Sequence, residues 1–321
     1  MVAVIAALAG ISVISGGVYA AVTGSNLLEE FKNQGKQVLS KEAEKLVDRK
    51  PQIIETESLK KLKYVNYTID EIVCDDYTIY AKATLTPKDA DKYTLLGDNI
   101  LEHNLTQKDS VSILKIDGLT KGTLKEYAER DGRKIIFVTC DFALTSMPKG
   151  AGASSWFEYG ENGEVYCYTS IEGIPRSQKE YTEQVCISEY EGYDCEKAGG
   201  MECLTVAVSN KSSVNIRKEY KTVEDTLDYG IKVDKISAVI TELGTYLTVE
   251  HTRQIEHDGY KGPIVYRILD EDGNEIKPIE NDHYGVTDLS KLYIGFRRMY
   301  SADYDEIDES IIGPYALEEV K

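Results

Sequence analysis

Six cysteines carry the most versatile chemistry in this sequence: Cys74, Cys140, Cys167, Cys186, Cys195 and Cys203. Thiols can act as nucleophiles, hold metal or pair as disulfides, and their spacing helps to separate these uses. No two stand in the C-x-x-C spacing of a zinc knuckle or redox motif, so neither metal binding nor redox catalysis is expected. Four crowd into residues 167–203 around a glycine-containing loop at 187–200. Two arrangements fit: one or two disulfides stapling that loop, or free thiols buried as small apolar groups. The even number suits disulfides in an exported chain, and the connectivity stays open.

The other reactive residues form no constellation. Of the four histidines, His103, His251, His257 and His283, none lies in a metalloprotease helix pattern or beside a nucleophile motif. His251 and His257 are six apart, a spacing that neither a helix nor a strand turns into a ligand pair. The stretch Asp270-Glu271-Asp272-Gly273-Asn274-Glu275 has its glycine fourth, where a calcium loop needs it sixth, and reads as a hairpin turn. Asp303, Asp305, Glu306, Asp308 and Glu309 read as a solvated acidic loop. Trp156 lies in Gly-Ala-Gly-Ala-Ser-Ser-Trp-Phe, which reads as a long loop. There the ring either packs on its own domain or contacts a sugar or peptide ligand. No catalytic, cofactor or metal site emerges, and the chain is not expected to be an enzyme.

The segments that must place these residues begin with an apolar one. No charge occurs from Val2 to Leu28, and Val2–Val22 is apolar or small over a length that spans a bilayer. A transmembrane helix over 1–24 is the leading expectation. A secretory signal peptide cleaved after Ala20 is the rival, because Val18 and Ala20 are small residues at the inspected positions. No Lys or Arg precedes the run, so the sequence is expected to begin inside a longer protein with a cytoplasmic part upstream. Residues 25–52 then read as a helical stalk, capped at Ser25 or Asn26, interrupted at Gly35 and ended by Pro51.

From Tyr64 the hydrophobic period changes from helical to two, the signature of strands. Tyr64–Glu71 and Thr78–Leu85 flank an Asp75-Asp76 turn. Ser112–Ile116, Lys134–Phe142, Glu164–Ser170 and Cys203–Val208 follow, with one short helix over Thr123–Arg130 capped by Thr123. The pattern restarts at Ile231–Ile240, Gly244–His251, Gly262–Leu269, Glu275–Ile279 and Leu292–Phe296. The expected fold is mainly β: two immunoglobulin-like β-sandwich domains, at 53–218 with long loop insertions and at 219–321.

Composition narrows the partners. The 321 residues carry 55 Asp and Glu against 37 Lys and Arg, a formal charge of −18 that repels phosphate backbones and excludes nucleic acid as a partner. The 23 tyrosines against 5 phenylalanines suit half-exposed strands, where the ring packs and the hydroxyl stays wet.

An apolar segment followed by Leu27-Leu-Glu-Glu-Phe, the strand pair at 67–83, the Ile231-Lys-Val-Asp-Lys-Ile-Ser run and Leu243-Gly-Thr-Tyr-Leu-Thr-Val occur in that order. This order resembles the outer regions of Gram-positive, particularly clostridial, single-pass membrane proteins of the anti-sigma-factor type. The resemblance implies a sigma-binding cytoplasmic region, one membrane helix and outer β-sandwich domains, and it transfers no functional residue. The expected function is a non-enzymatic, membrane-anchored extracytoplasmic sensor or partner-binding region, with a protein or glycan ligand on the outer side. The alternative is a secreted or wall-associated glycan- or peptide-binding protein.

Overall fold

The computed structural model describes residues 27, 43–100, 105–108, 111, 122–145, 152–160, 163–174, 178–191, 198–257, 260–278, 282–285, 291–299 and 310–320. The proposed membrane segment, most of the stalk, the strand over 112–116, His103, Cys195 and the 303–309 acidic run lie outside them. No helix among the described residues is long and apolar enough to cross a membrane. The protein is mainly β and divides into two compact units, Leu46–Lys211 with Leu27, and Ser212–Lys321 with 43–45.

The first unit holds β1 (Ile53–Lys60), β2 (Val65–Cys74), β3 (Thr78–Pro87), β4 (Tyr93–Gly97), β5 (Lys134–Leu144), β6 (Gly152–Tyr159), β7 (Val165–Glu172), β8 (Glu180–Glu191) and β9 (Ala198–Ser209). They form two sheets, of order β1-β9-β8-β5-β4 and β2-β3-β7-β6. Every pairing is antiparallel except β4 with β5. Alternation along a strand sends one set of side chains to each face. Ile79, Ala81, Ala83 and Leu85 of β3 thus share one core with Val138, Cys140 and Phe142 of β5 and Val185 and Ile187 of β8. This layered, sandwich-like arrangement makes each sheet the floor of the other.

Local chemistry agrees with the pairing. Asp75 closes the β2–β3 turn by accepting the Tyr77 and Thr78 amides, both at 2.8 Å. Helix α1 (Leu124–Ala128) begins in a capping box, Thr123 accepting from the Glu126 amide while Glu126 accepts from the Thr123 amide. Two expectations are corrected. Residues 187–200 are not one loop, because β8 runs to Glu191 and β9 starts at Ala198. The Trp156 stretch is not a loop either: β6 pairs with β7 from Gly152↔Glu172 to Tyr159↔Val165. Pairing with a central strand here overrides the weak strand preference of Gly, Ala and Ser. The end of the expected helical stalk is not helical, because past Leu46 the chain bridges to β2. Leu46 is buried, and Asp48 exchanges backbone hydrogen bonds with Ile72 at 2.7 and 2.9 Å.

The second unit contains β10 (Ile216–Thr222), β11 (Val233–Thr241), β12 (Gly244–His251), β13 (Gln254–His257), β14 (Tyr260–Leu269), β15 (His283–Tyr284), β16 (Tyr293–Arg298) and β17 (Ile312–Glu319). They join in one antiparallel sheet of order β13-β14-β16-β17-β10-β11-β12-β15, and both halves of it contribute to one core. The expected strand at 275–279 reduces to a single bridge between Glu275 and Leu269. At the start of this unit the Glu242 carboxylate accepts from the Ser212 hydroxyl at 2.6 Å and the Ser213 and Val214 amides at 2.9 and 3.1 Å. Burial pushes Glu242 up, but those donors outweigh it and leave the group below the usual glutamate range.

His283 is a buried core imidazole and not a ligand. It stacks on Tyr246 with centroids 4.1 Å apart, and its Nε2 donates to the Leu243 carbonyl at 2.9 Å. Gly244, at φ +138°, is required beside it, since a Cβ there would meet the Tyr284 carbonyl oxygen at 2.3 Å. Burial lowers His283 from 6.5 to about 3. The unfolded imidazole therefore takes up a proton below about pH 6.5 while the folded one stays neutral, so this contribution is whole above that pH and declines toward pH 3. Between pH 7.5 and pH 5 the second unit should lose about 2 kcal/mol from this group. Denaturant unfolding at the two pH values, repeated on His283→Asn, reads the slope that the variant should lack.

Candidate functional site

The four-stranded sheet has an outer face as well as its core face, and register places a row of unlike chemistry across it. Glu71 of β2 pairs with Lys82 of β3, Lys82 with Tyr168 of β7, and Tyr168 with Trp156 of β6. The flanking row is Thr68, Thr84, Tyr166 and Glu158 in the same strand order. The Trp156 and Tyr168 rings stack at 5.4 Å with 13° between their planes. Lys82 Nζ lies 5.0 Å from the Tyr166 centroid and 5.6 Å from that of Tyr168. Although Lys82 is only 5% exposed, the ring faces offset part of the cost of burying its ammonium group. Asp70, in the bulge of β2, accepts from the Thr68 and Thr84 hydroxyls. Burial nevertheless raises its carboxyl above the usual aspartate value.

Glu71, Lys82 and Tyr168 of this row are buried, so Trp156 is the part of it left partly exposed. Trp156 is half-buried at its end, on β6, the edge strand of that sheet among the described residues, whose first four residues are exposed. The opposite case is β1, the edge of the five-stranded sheet. It carries Glu55, Glu57 and Lys60 and two register irregularities, devices that discourage strand addition. No such charge stands on Gly152–Ser155.

A second cluster lies in the core of the same unit. Glu183, on the inward face of β8 between Tyr181 and Val185, is 0% exposed, and neither carboxylate oxygen has a hydrogen-bond partner. Its neighbours across the sheet are Leu144 of β5 and Val206 of β9. Desolvation alone pushes it up to about 8, so it is neutral through most of the physiological range. Burial, followed by the charges of Asp75, Glu183 and Asp76, raises the nearby Cys74 thiol, and burial raises Tyr181. Asp76 is held by Asn210 Nδ2 at 2.8 Å and Lys179 Nζ at 3.2 Å. Sequence reading passed over Glu183. The signal was there, as an acid at an inward position in the alternation Tyr181, Glu183, Val185, Ile187.

The cysteines resolve into two roles. Cys186 and Cys203, directly opposite in β8 and β9, form a disulfide. Cys74, Cys140 and Cys167 are free and buried. Burial, then a hydrogen bond with Cys140, holds the Cys167 thiol well above its ordinary value, which keeps it inert. Among the described residues no cluster of His, Cys, Asp and Glu could hold a metal ion. His251 packs against Phe296 and Tyr266, and its Nδ1 is 2.6 Å from the Thr252 carbonyl oxygen.

No protein-family model matches the chain, and no curated protein does. The structure is similar to the crystal structure of the conserved domain protein from Bacillus anthracis, with a TM-score of 0.45 and 10% identity, over 88% of this chain and 93% of that one.

Proposed function

We propose that this chain is a non-enzymatic, extracytoplasmic binding region, tethered through its apolar N-terminal segment and built as two immunoglobulin-like sandwich domains. In this reading it forms the outer part of a single-pass sensor of the anti-sigma type. The observation that carries the binding role is the exposed, uncharged start of β6, an edge strand among the described residues, which leads to the half-buried Trp156 ring stacked on Tyr168. An extended polypeptide could add to β6 through main-chain hydrogen bonds while its side chains meet the ring face. Two features support a location outside the membrane. One is the Cys186–Cys203 bond, since disulfides persist in oxidising compartments. The other is the uncharged Val2–Leu28 stretch.

The half-buried Trp156 ring also suits a sugar ring, which keeps the secreted glycan binder as a second reading. Titrating the full chain with a peptide library and a glycan array, read by the emission of Trp156, the single tryptophan, separates the two. Trp156→Ala should weaken any specific binder at least about tenfold, the cost of losing one buried aromatic anchor. Binders that hold the variant equally well would place recognition elsewhere and end this reading of the face.

A further inference from the structure

Cys140 and Cys167 stand on the inner faces of the first unit's two sheets, Cys140 on β5 and Cys167 on β7. Alternation points Cys140 into the shared core with Val138 and Phe142, while register sets Cys167 between Ala83 of β3 and Phe157 of β6. Each is 1% exposed, and their side chains hydrogen-bond to each other across the interior. Strands β5 and β7 come within 8 Å of one another, Cα to Cα, close to the limit of roughly 7 Å that a disulfide bridges. Packing of one sheet on the other brings these two thiols together, whereas Cys186 and Cys203 meet through the pairing of neighbouring strands.

We propose that Cys140 and Cys167 are a second disulfide site, which bolts the two sheets of the first unit together when the chain folds in the presence of an oxidising disulfide. The thiolate of one cysteine attacks a sulfur of the oxidant and expels a thiolate, leaving a mixed disulfide. The thiolate of the other then attacks the protein-side sulfur and expels the second. Two protein thiols give up two electrons and two protons, one protein S–S bond forms, and the oxidant leaves as two thiols. Burial raises the Cys167 thiol, so a closed core reacts slowly. The mixed disulfide therefore belongs to the stage before the sheets close, and their closing delivers the second thiol to it. Among the described residues no metal cluster competes for the pair. The proposal rests on the extracytoplasmic reading only for the source of the oxidant, since the placement of the thiols is independent of it.

Refolding tests this apart from location. The full chain is reduced in denaturant, refolded in a buffer of oxidised and reduced glutathione, blocked with iodoacetamide in guanidinium chloride, and digested with trypsin without reductant. Lys149 places the two cysteines in different peptides. Mass spectrometry should find the Cys140 and Cys167 peptides linked, two hydrogens lighter than their sum, beside the Cys186–Cys203 pair. Dithiothreitol should then lower the urea midpoint of the wild type further than that of Cys167→Ala, because both chains keep Cys186–Cys203 but only the wild type has the inter-sheet bond to lose. Recovery of Cys140 and Cys167 alkylated, or of either joined to a different cysteine, overturns the proposal. Because the buffer supplies the oxidant, that failure leaves the extracytoplasmic reading untouched.

Discussion

Glu183→Gln should stabilise the first unit by about 4 kcal/mol at pH 7.5 and by only a few tenths at pH 4.5. The folded carboxyl titrates near 8 because burial denies its anion both water and a hydrogen-bond donor, against 4.5 for the free side chain. The folded state consequently binds the proton more tightly. Relative to a neutral side chain, the penalty is absent below about pH 4.5, grows as the unfolded chain ionises, and levels off above about pH 8. Glutamine keeps the size and polarity while removing the charge, so it isolates this effect. Urea unfolding followed by Trp156 emission across pH 4.5–8 should show the wild type weakening with rising pH much more steeply than the variant. Equal pH slopes would mean that Glu183 finds a partner or water. A group that costs this much stability at neutral pH marks a place where sequence and packing disagree.

Glu189 predicts the opposite sign. It lies on the same face of β8, is equally buried, and accepts the backbone amides of Lys63, Tyr64 and Val65, the last two at 2.8 and 3.1 Å. Gly199 makes room for it, since a Cβ there would stand 2.8 Å from Glu189 Cγ. The carboxylate thus gathers the turn between β1 and β2 onto the five-stranded sheet. Glu189→Ala removes one acceptor from three amides at a buried site and should cost about 3–4 kcal/mol. Glu189→Gln, which keeps one acceptor oxygen, should cost about half as much. A loss under about 1 kcal/mol for the alanine variant would show that these amides find water or other acceptors.

These two glutamates also explain which parts of the fold were legible. Strands whose alternation is apolar against polar, such as β3, β5, β11 and β12, stand out in sequence because burial follows hydrophobicity there. In β8 the inward positions include Glu183 and Glu189, so the same rule misreads a central strand as part of a loop. Four exposed small residues hide β6, and Gly313 and Pro314 hide β17. Wholly exposed β1 has no buried face to reveal it. For the candidate site, Trp156 was visible by rarity alone. Its companions Tyr168, Lys82 and Glu71 come from three other strands, and only their register makes them neighbours. The same holds for Cys186 and Cys203, whose pairing follows from the β8–β9 ladder and not from spacing.

The proposed function stands on the chain working outside the membrane. The direct measurement is to treat intact cells that express the full chain with a membrane-impermeant thiol reagent and a protease, then analyse the shed peptides by mass spectrometry. The account predicts that peptides of both units are released without lysis, and that those holding Cys186 and Cys203 are recovered linked and unlabelled. A chain that survives intact until the cells are broken, with both cysteines reduced, would contradict it.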